Sequence, residues 1–212
     1  MDLDPQLATR ITAEISRRME LSKTPIPIGV SNRHVHMSQE HWDALFGQGS
    51  RPTKYRDTRQ PGWWAANETV DLQGPKGRIG KVRLVGPHRP KTQVELSRTD
   101  AMALGINPPV RGSGKVSGSC GVRIIGPKAT IDLQEGAIIA SRHLHLHPRE
   151  AQAMGLKDGE IMRVRCGIGG PRELVLEQVL VRVSDSFALE LHLDTDEANA
   201  AWVKSGELCN IC

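Results

Sequence analysis

Aromatic residues are scarce in this chain of 212 residues, with two Phe, one Tyr and four Trp. Nor is there any apolar run near the roughly 18 to 20 residues that span a bilayer, or a basic, apolar and small-residue leader, so an intracellular, cytoplasmic protein without membrane contact is expected. The four cysteines form no framework: Cys120 and Cys166 stand alone, and Cys209-x-x-Cys212 has no second pair to complete a zinc knuckle. Free thiols in a reducing compartment are the expectation. A net charge of +4 without a basic stripe excludes a nucleic-acid backbone as partner and suits a small anion. Neither a G-x-S-x-G elbow nor a phosphate-binding P-loop occurs, which argues against a covalent acyl-enzyme.

What is present is short runs of Val, Ile and Leu punctuated by twenty-one glycines and thirteen prolines. That pattern predicts a mainly β protein with short α-helices, many short strands joined by turns, as in barrels or sandwiches. Within it one motif occurs twice, as Arg33-His34-Val35-His36-Met37 and Arg142-His143-Leu144-His145-Leu146. Residues i and i+2 of a strand project to one face, whereas on a helix they point about 200° apart. Each His-x-His pair, entered from a strand-like run (Ile26 to Val30; Ala137 to Ala140), can therefore chelate one ion. Each then runs into a predicted helix, Ser38 to Gly47 and Pro148 to Gly155, both with Gly at the end and the second with Pro at its start.

Two further segments repeat the arrangement without the double histidine: Glu95-Leu96-Ser97 with Asp100, and His192-Leu193-Asp194 with Glu197, each a candidate ligand followed by a capping box. In all four places a metal-capable side chain lies two residues before a helix N-cap. The chain thus offers two sets of three ligands, His34, His36 and Glu95 in one and His143, His145 and His192 in the other. Three ligands leave coordination positions open, as a catalytic zinc site does and a structural one does not. His147 aligns with Ser38 and is read as an N-cap or as a group supporting the ligands, not as a ligand itself. His41, one turn into its helix, is read as an exposed helix residue, and His88 as a loop residue able to touch an anion.

Along the chain, residues 1–23 form a tail in which Leu7, Ile11, Ile15 and Met19 recur every four residues, the stripe of an amphipathic helix starting at Asp4-Pro5. A first repeat runs from about Thr24 to Pro109, a Gly/Ser-rich joint spans Gly112 to Ser119, and a second repeat follows. Residues 47–67, with Gln60-Pro61-Gly62-Trp63-Trp64, lack a counterpart of equal length in the second half and are read as an insertion or lid.

The order of these segments, Val-Ser-Asn-Arg-His-Val-His, Gln-Pro-Gly, Gly-Pro-x-Arg, Thr-Gln-Val-Glu-Leu-Ser-Arg-Thr-Asp-Ala, Arg-His-Leu-His and His-Leu-Asp-Thr-Asp-Glu-Ala-Asn-Ala, resembles the PduL-type phosphate acyltransferases from about Pro25 onward. The resemblance implies the reaction acyl-CoA + phosphate = acyl phosphate + CoA, with a short propionyl or acetyl chain, zinc at two positions per chain, and coenzyme A as substrate or product. It implies two β-barrels capped by helices and internally duplicated, with residues 24–33 a strand of the C-terminal barrel (136–212) and 34–135 the central barrel. By the same resemblance His34, His36 and Glu95 match the ligands of one zinc and His143, His145 and His192 those of the other, while Arg89 matches a phosphate-binding arginine. Trp63-Trp64 and His147 depart from the family pattern. Family partners would be bacterial microcompartment shell proteins, addressed by the amphipathic tail unless that helix docks on its own barrel or on a dimer partner, and a second copy of the chain in a homodimer or higher homo-oligomer.

Two rival functions start from the same residues. A zinc hydrolase of the amidohydrolase kind also opens its site with His-x-His on a strand, but its TIM barrel typically needs about 250 residues. A non-catalytic metal-binding scaffold would have no use for open three-ligand sets beside Arg89.

Overall fold

The computed structural model describes residues 4–212; residues 1–3 of the expected tail lie outside the described residues. In chain order the elements are α1 (Pro5–Leu21), β1 (Ile26–Ser31), β2 (His34–His36), α2 (Gln39–Phe46), β3 (Lys54–Asp57), β4 (Trp64–Gln73), β5 (Arg78–Gly86), β6 (Gln93–Glu95), α3 (Arg98–Leu104) and β7 (Val110–Arg111). They continue with β8 (Cys120–Ile125), β9 (Thr130–Ala140), β10 (His143–Leu146), α4 (Pro148–Met154), β11 (Ile161–Cys166), β12 (Leu174–Val183), β13 (Glu190–Asp194), α5 (Thr195–Ala201) and β14 (Leu208–Ile211). No helix among the described residues is long and apolar enough to cross a membrane.

The strands make two closed barrels, one in each of two compact units. One unit holds residues 4–30, 142–193 and 197–212, and its ring runs β1-β13-β10-β12-β11-β14. The other holds residues 31–141 and 194–196. There β4, β5, β2, β6, β9 and β8 pair in turn and β8 returns to β4, with β3 and β7 added at the flanks. Closure matters for such short strands, because it leaves no unpaired edge in the ring.

The duplication is written in the pairings. β2 lies between parallel β5 and antiparallel β6, and β10 lies between parallel β12 and antiparallel β13. Strand alternation then decides what faces the core. Val35 and Val94 pack into the core of the central unit, with Leu72, Leu84 and Ile124, while their neighbours His34, His36, Gln93 and Glu95 turn to the other face. In the other unit Leu144, Leu146, Leu191 and Leu193 pack with Ile26, Ile28 and Val181, and His143, His145, Glu190 and His192 take the opposite face.

Three of the candidate ligand strands run into helices with a side-chain N-cap. Ser38 caps α2, Ser97 caps α3 in a capping box with Asp100, and His147 caps α4, its side chain accepting from the Arg149 amide while Glu150 accepts from the His147 amide. Gly105 and Gly155 close α3 and α4 with φ of 76° and 63°, a left-handed conformation that a side chain would strain.

Three expectations change. The boundary before the C-terminal barrel falls between residues 141 and 142 instead of 135 and 136, because β9 continues past Gly136 to pair with β6 and β7. The Gly/Ser-rich stretch from Gly112 to Ser119 is not a joint between repeats; it is a loop inside the central unit, between β7 and β8. And His41 is half-buried, its Nδ1 2.8 Å from the hydroxyl of Thr92, the residue before β6. Residues 47–67 hold β3 and the start of β4, which pair antiparallel from Lys54↔Ala66 to Asp57↔Trp64. α1 forms as the four-residue spacing predicts, yet Leu7, Ile11, Ile15 and Met19 are 44–55% exposed. The helix is tethered at its C-terminal half, where Leu21 enters the core and the Arg17 guanidinium donates to the Gly155 carbonyl at 3.2 Å.

Candidate metal centres

In the central unit, β2 and β6 set His34 directly opposite Glu95. The Nε2 atoms of His34 and His36 stand 3.1 Å apart, and the Glu95 oxygens lie 3.7 Å from each. Backbone carbonyls orient both rings: His34 Nδ1 is 2.8 Å from the Asn32 oxygen and His36 Nδ1 is 3.1 Å from the Val85 oxygen. A ring that donates from Nδ1 presents a bare lone pair at Nε2. Two such lone pairs face to face repel unless a cation lies between them, and ligand atoms on one tetrahedral zinc are about 3.3 Å apart at bond lengths of about 2.0–2.1 Å. The set therefore fits a divalent ion by its own geometry.

The protonation states agree. Burial drives the His36 pKa well below 6.5, with the neighbouring His34 and Arg89 pushing the same way. For Glu95 burial pushes upward, but His34, His36, the Ser113 hydroxyl bond and Arg89 outweigh it and hold the carboxyl at about 2. Neutral imidazole and ionised carboxylate are the forms a metal binds. Glu95 is also held in place: Gln93 Nε2 and the Ser113 hydroxyl donate to its Oε1 at 2.6 and 2.8 Å, and Arg89 Nη1 donates to Ser113 at 3.0 Å. Trp63, from the segment read as a lid, lies edge-on to His36 with centroids 5.2 Å apart, and its ring sits 4.7 Å below the Arg89 guanidinium. Its neighbour Trp64 instead packs onto Gly86, where any Cβ would meet the indole at 2.3 Å.

In the other unit, the ligand atoms of His143, His145 and His192 all lie within 4.8 Å of one another. β10 and β13 bring His143 opposite His192, and β12 brings Arg182 beside His145. The His145 ring stacks on Phe187 at 3.7 Å and 6°, with the Arg182 guanidinium 5.4 Å from the same phenyl. Burial lowers the His145 pKa to about 2, helped by His192, His143 and Arg182. The Nε2 of His192 is buried and makes no hydrogen bond, as a nitrogen aimed at a cation would be.

All six residues singled out as ligands thus fall into two groups, and Arg89 reaches the first through Ser113. Outside both groups are His41, His88, which sets Nδ1 3.2 Å from the Met37 carbonyl, and His147. Sequence reasoning passed over Gln93, Ser113, Phe187, Arg182 and Glu190. Of these, Gln93 and Glu190 were readable by the period of two from Glu95 and His192, whereas the other three depend on packing.

Residues 27–204 match the family described as phosphate propanoyltransferase. The phosphate propanoyltransferase of Thermotoga maritima is 52% identical over 192 residues, covering 90% of this chain and 91% of that one. Those of Lachnoclostridium phytofermentans and Citrobacter freundii are each 46% identical, covering 97% of both chains and 92% and 91% respectively. With the family match spanning residues 27–204 and relatives of this identity covering nine-tenths of the chain, the chain belongs to the phosphate propanoyltransferase family.

Proposed function

We propose that the protein exchanges the CoA of a short acyl-CoA, propionyl or acetyl, for phosphate, with zinc at both three-residue sets. The observation that carries this reading is the pairing of each set with a guanidinium: Arg89 through Ser113 at the first and Arg182 beside His145 at the second. Metal and arginine together suit a substrate that is anionic at both ends of the reaction, phosphate on one side and a departing thiolate on the other.

Bound at these sets, zinc supplies a Lewis acid that stabilises thiolate sulfur and polarises a carbonyl. The chain's own residues do the rest. Arg89, flattened against Trp63 and anchored on Ser113, holds a planar fork that grips phosphate oxygens in pairs. A phosphate oxygen attacks the acyl carbon, the carbon–sulfur bond breaks, and the electron pair leaves on the CoA sulfur. Glu95 stays ionised throughout, fixed by Gln93 and Ser113, so the first set keeps its charge as the thiolate develops. No side-chain nucleophile is needed: Cys166 and Cys209 are buried in a barrel core.

The half-exposed stripe of α1 supports a second role, docking on a microcompartment shell or on another copy of the chain, because its own unit leaves that face uncovered. The reaction itself is tested by following CoA thiol release from propionyl-CoA and acetyl-CoA with and without phosphate. Release that requires phosphate supports the transferase; phosphate-independent release would make the protein a hydrolase, and none at all a metal-binding scaffold.

A further inference from the structure

Cross-strand register places a fourth side chain at each metal set. Opposite His36 stands Gln93, and opposite His145 stands Glu190. Because residues two apart share a strand face, each set is the occupied part of a four-cornered patch: His34, His36, Glu95 and Gln93 in one barrel, His143, His145, His192 and Glu190 in the other. The carboxylate has changed corners. Where the first patch has Glu95 it has His192, and where the first has the neutral amide of Gln93 it has Glu190. Each patch therefore contains one carboxylate and presents one negative charge.

Glu190 is built into its corner. It is 8% exposed, its Oε2 lies 2.9 Å from His192 Nε2, and its carboxyl rests on Gly29 of β1, where a Cβ would come within 2.6 Å of Cδ. The contact with His192 is close but not a hydrogen bond, since the ring nitrogen has none. Two groups this close can both face one cation, since ligand atoms on a tetrahedral zinc stand about 3.3 Å apart.

We propose that Glu190 is a fourth residue of the second metal centre, a positioning residue that holds His192 and supplies the negative charge three imidazoles lack. This rests on the reading of that set as a metal site. Gln93 plays the neutral counterpart at the first centre, where Glu95 already carries the charge. The two patches thereby leave a bound divalent ion with the same residual positive charge.

The test is zinc affinity, read by competition with a chromophoric chelator on the full-length protein. Glu190→Gln keeps the shape and removes the charge. Gly29→Ala keeps the charge and pushes the carboxylate aside, and because the atom in the way is the far end of a flexible side chain the barrel tolerates it. Each variant should weaken one of two zinc ions by about 10- to 100-fold and leave the other unchanged, the usual effect of losing a group that supports a ligand. Glu190→Asp should recover part of the loss. Two zinc ions held with wild-type affinity by Glu190→Gln, or by Gly29→Ala should the first variant fail to fold, overturn the proposal while leaving the metal site intact. If the wild-type protein holds no zinc that His143→Ala with His145→Ala removes, both the metal reading and the role of Glu190 fall.

Discussion

The Arg142 Nε donates to the Glu197 carboxylate at 2.6 Å, tying the residue before His143 to the helix that follows His192. The same tie exists in the other barrel, where Arg33, the residue before His34, donates to Asp100 of α3 at 2.7 Å. In each barrel one ion pair thus locks the strand carrying two candidate ligands to the strand carrying the third. Glu197 is 15% exposed in its side chain, so Arg142→Gln leaves a largely buried carboxylate without its cation. Urea denaturation should show a loss of about 1.5–3 kcal/mol. The exposed Arg78–Asp71 pair, with Arg78 at 55%, should cost under about 1 kcal/mol when cut in the same way.

Metal content is the second expectation. Purified protein should carry two zinc ions per chain, one for each group of three, and His143→Ala with His145→Ala should remove one of them by elemental analysis. Retention of both by the double variant would show that these histidines do not hold an ion.

Arg89→Lys should keep the fold and the zinc and lose activity chiefly through phosphate. A point charge cannot reproduce the fork that stacks on Trp63 and bonds Ser113. The phosphate KM should rise about tenfold or more, the cost of one charge-assisted hydrogen bond. An unchanged phosphate dependence would reduce Arg89 to ordinary surface charge.

The chelator-stripped protein should be acid-sensitive earlier than its carboxylates alone would make it. Folding lowers the His145 pKa from 6.5 to about 2, so between those values the unfolded chain binds a proton that the folded chain refuses. Stability is then fully present above about pH 6.5 and declines as pH falls. His36 acts in the same direction, and Glu95, lowered from 4.5 to about 2, adds its own loss below about pH 4.5. Urea midpoints from pH 8 to pH 4 read this out; zinc should flatten the upper part of the curve, because the ion occupies the nitrogens that protons would take. A midpoint constant down to pH 5 without metal would contradict the assigned states.

For the helix α1, a fusion of residues 1–22 to a fluorescent reporter should enter the cognate shell in a host that makes one. A diffuse reporter, together with destabilisation of the enzyme when the helix is deleted, would leave α1 as a docking element of its own barrel or of a second copy.

The sequence alone determined whatever depends on neighbours along the chain. A period of two places His34 with His36 and His143 with His145, and the N-cap residues Ser38, Ser97 and His147 mark where each ligand strand gives way to a helix, because strand faces and helix caps are short-range stereochemistry. The duplicated order of these segments was enough to bring Glu95 and His192 to their partners. Barrel closure and pairing register decided the rest. Ser113 is 18 residues from the Glu95 it bonds, Arg182 reaches His145 only through the parallel pairing of β12 with β10, and β9 runs through the apparent boundary at residue 136 because β6 and β7 are there to receive it. The alternation His-Leu-His-Leu set both histidines on one face of β10, but that this face is buried as well was decided only by packing. Contacts of that kind are set by which strands become neighbours when the ring closes, and that is a property of the whole barrel, not of any one segment.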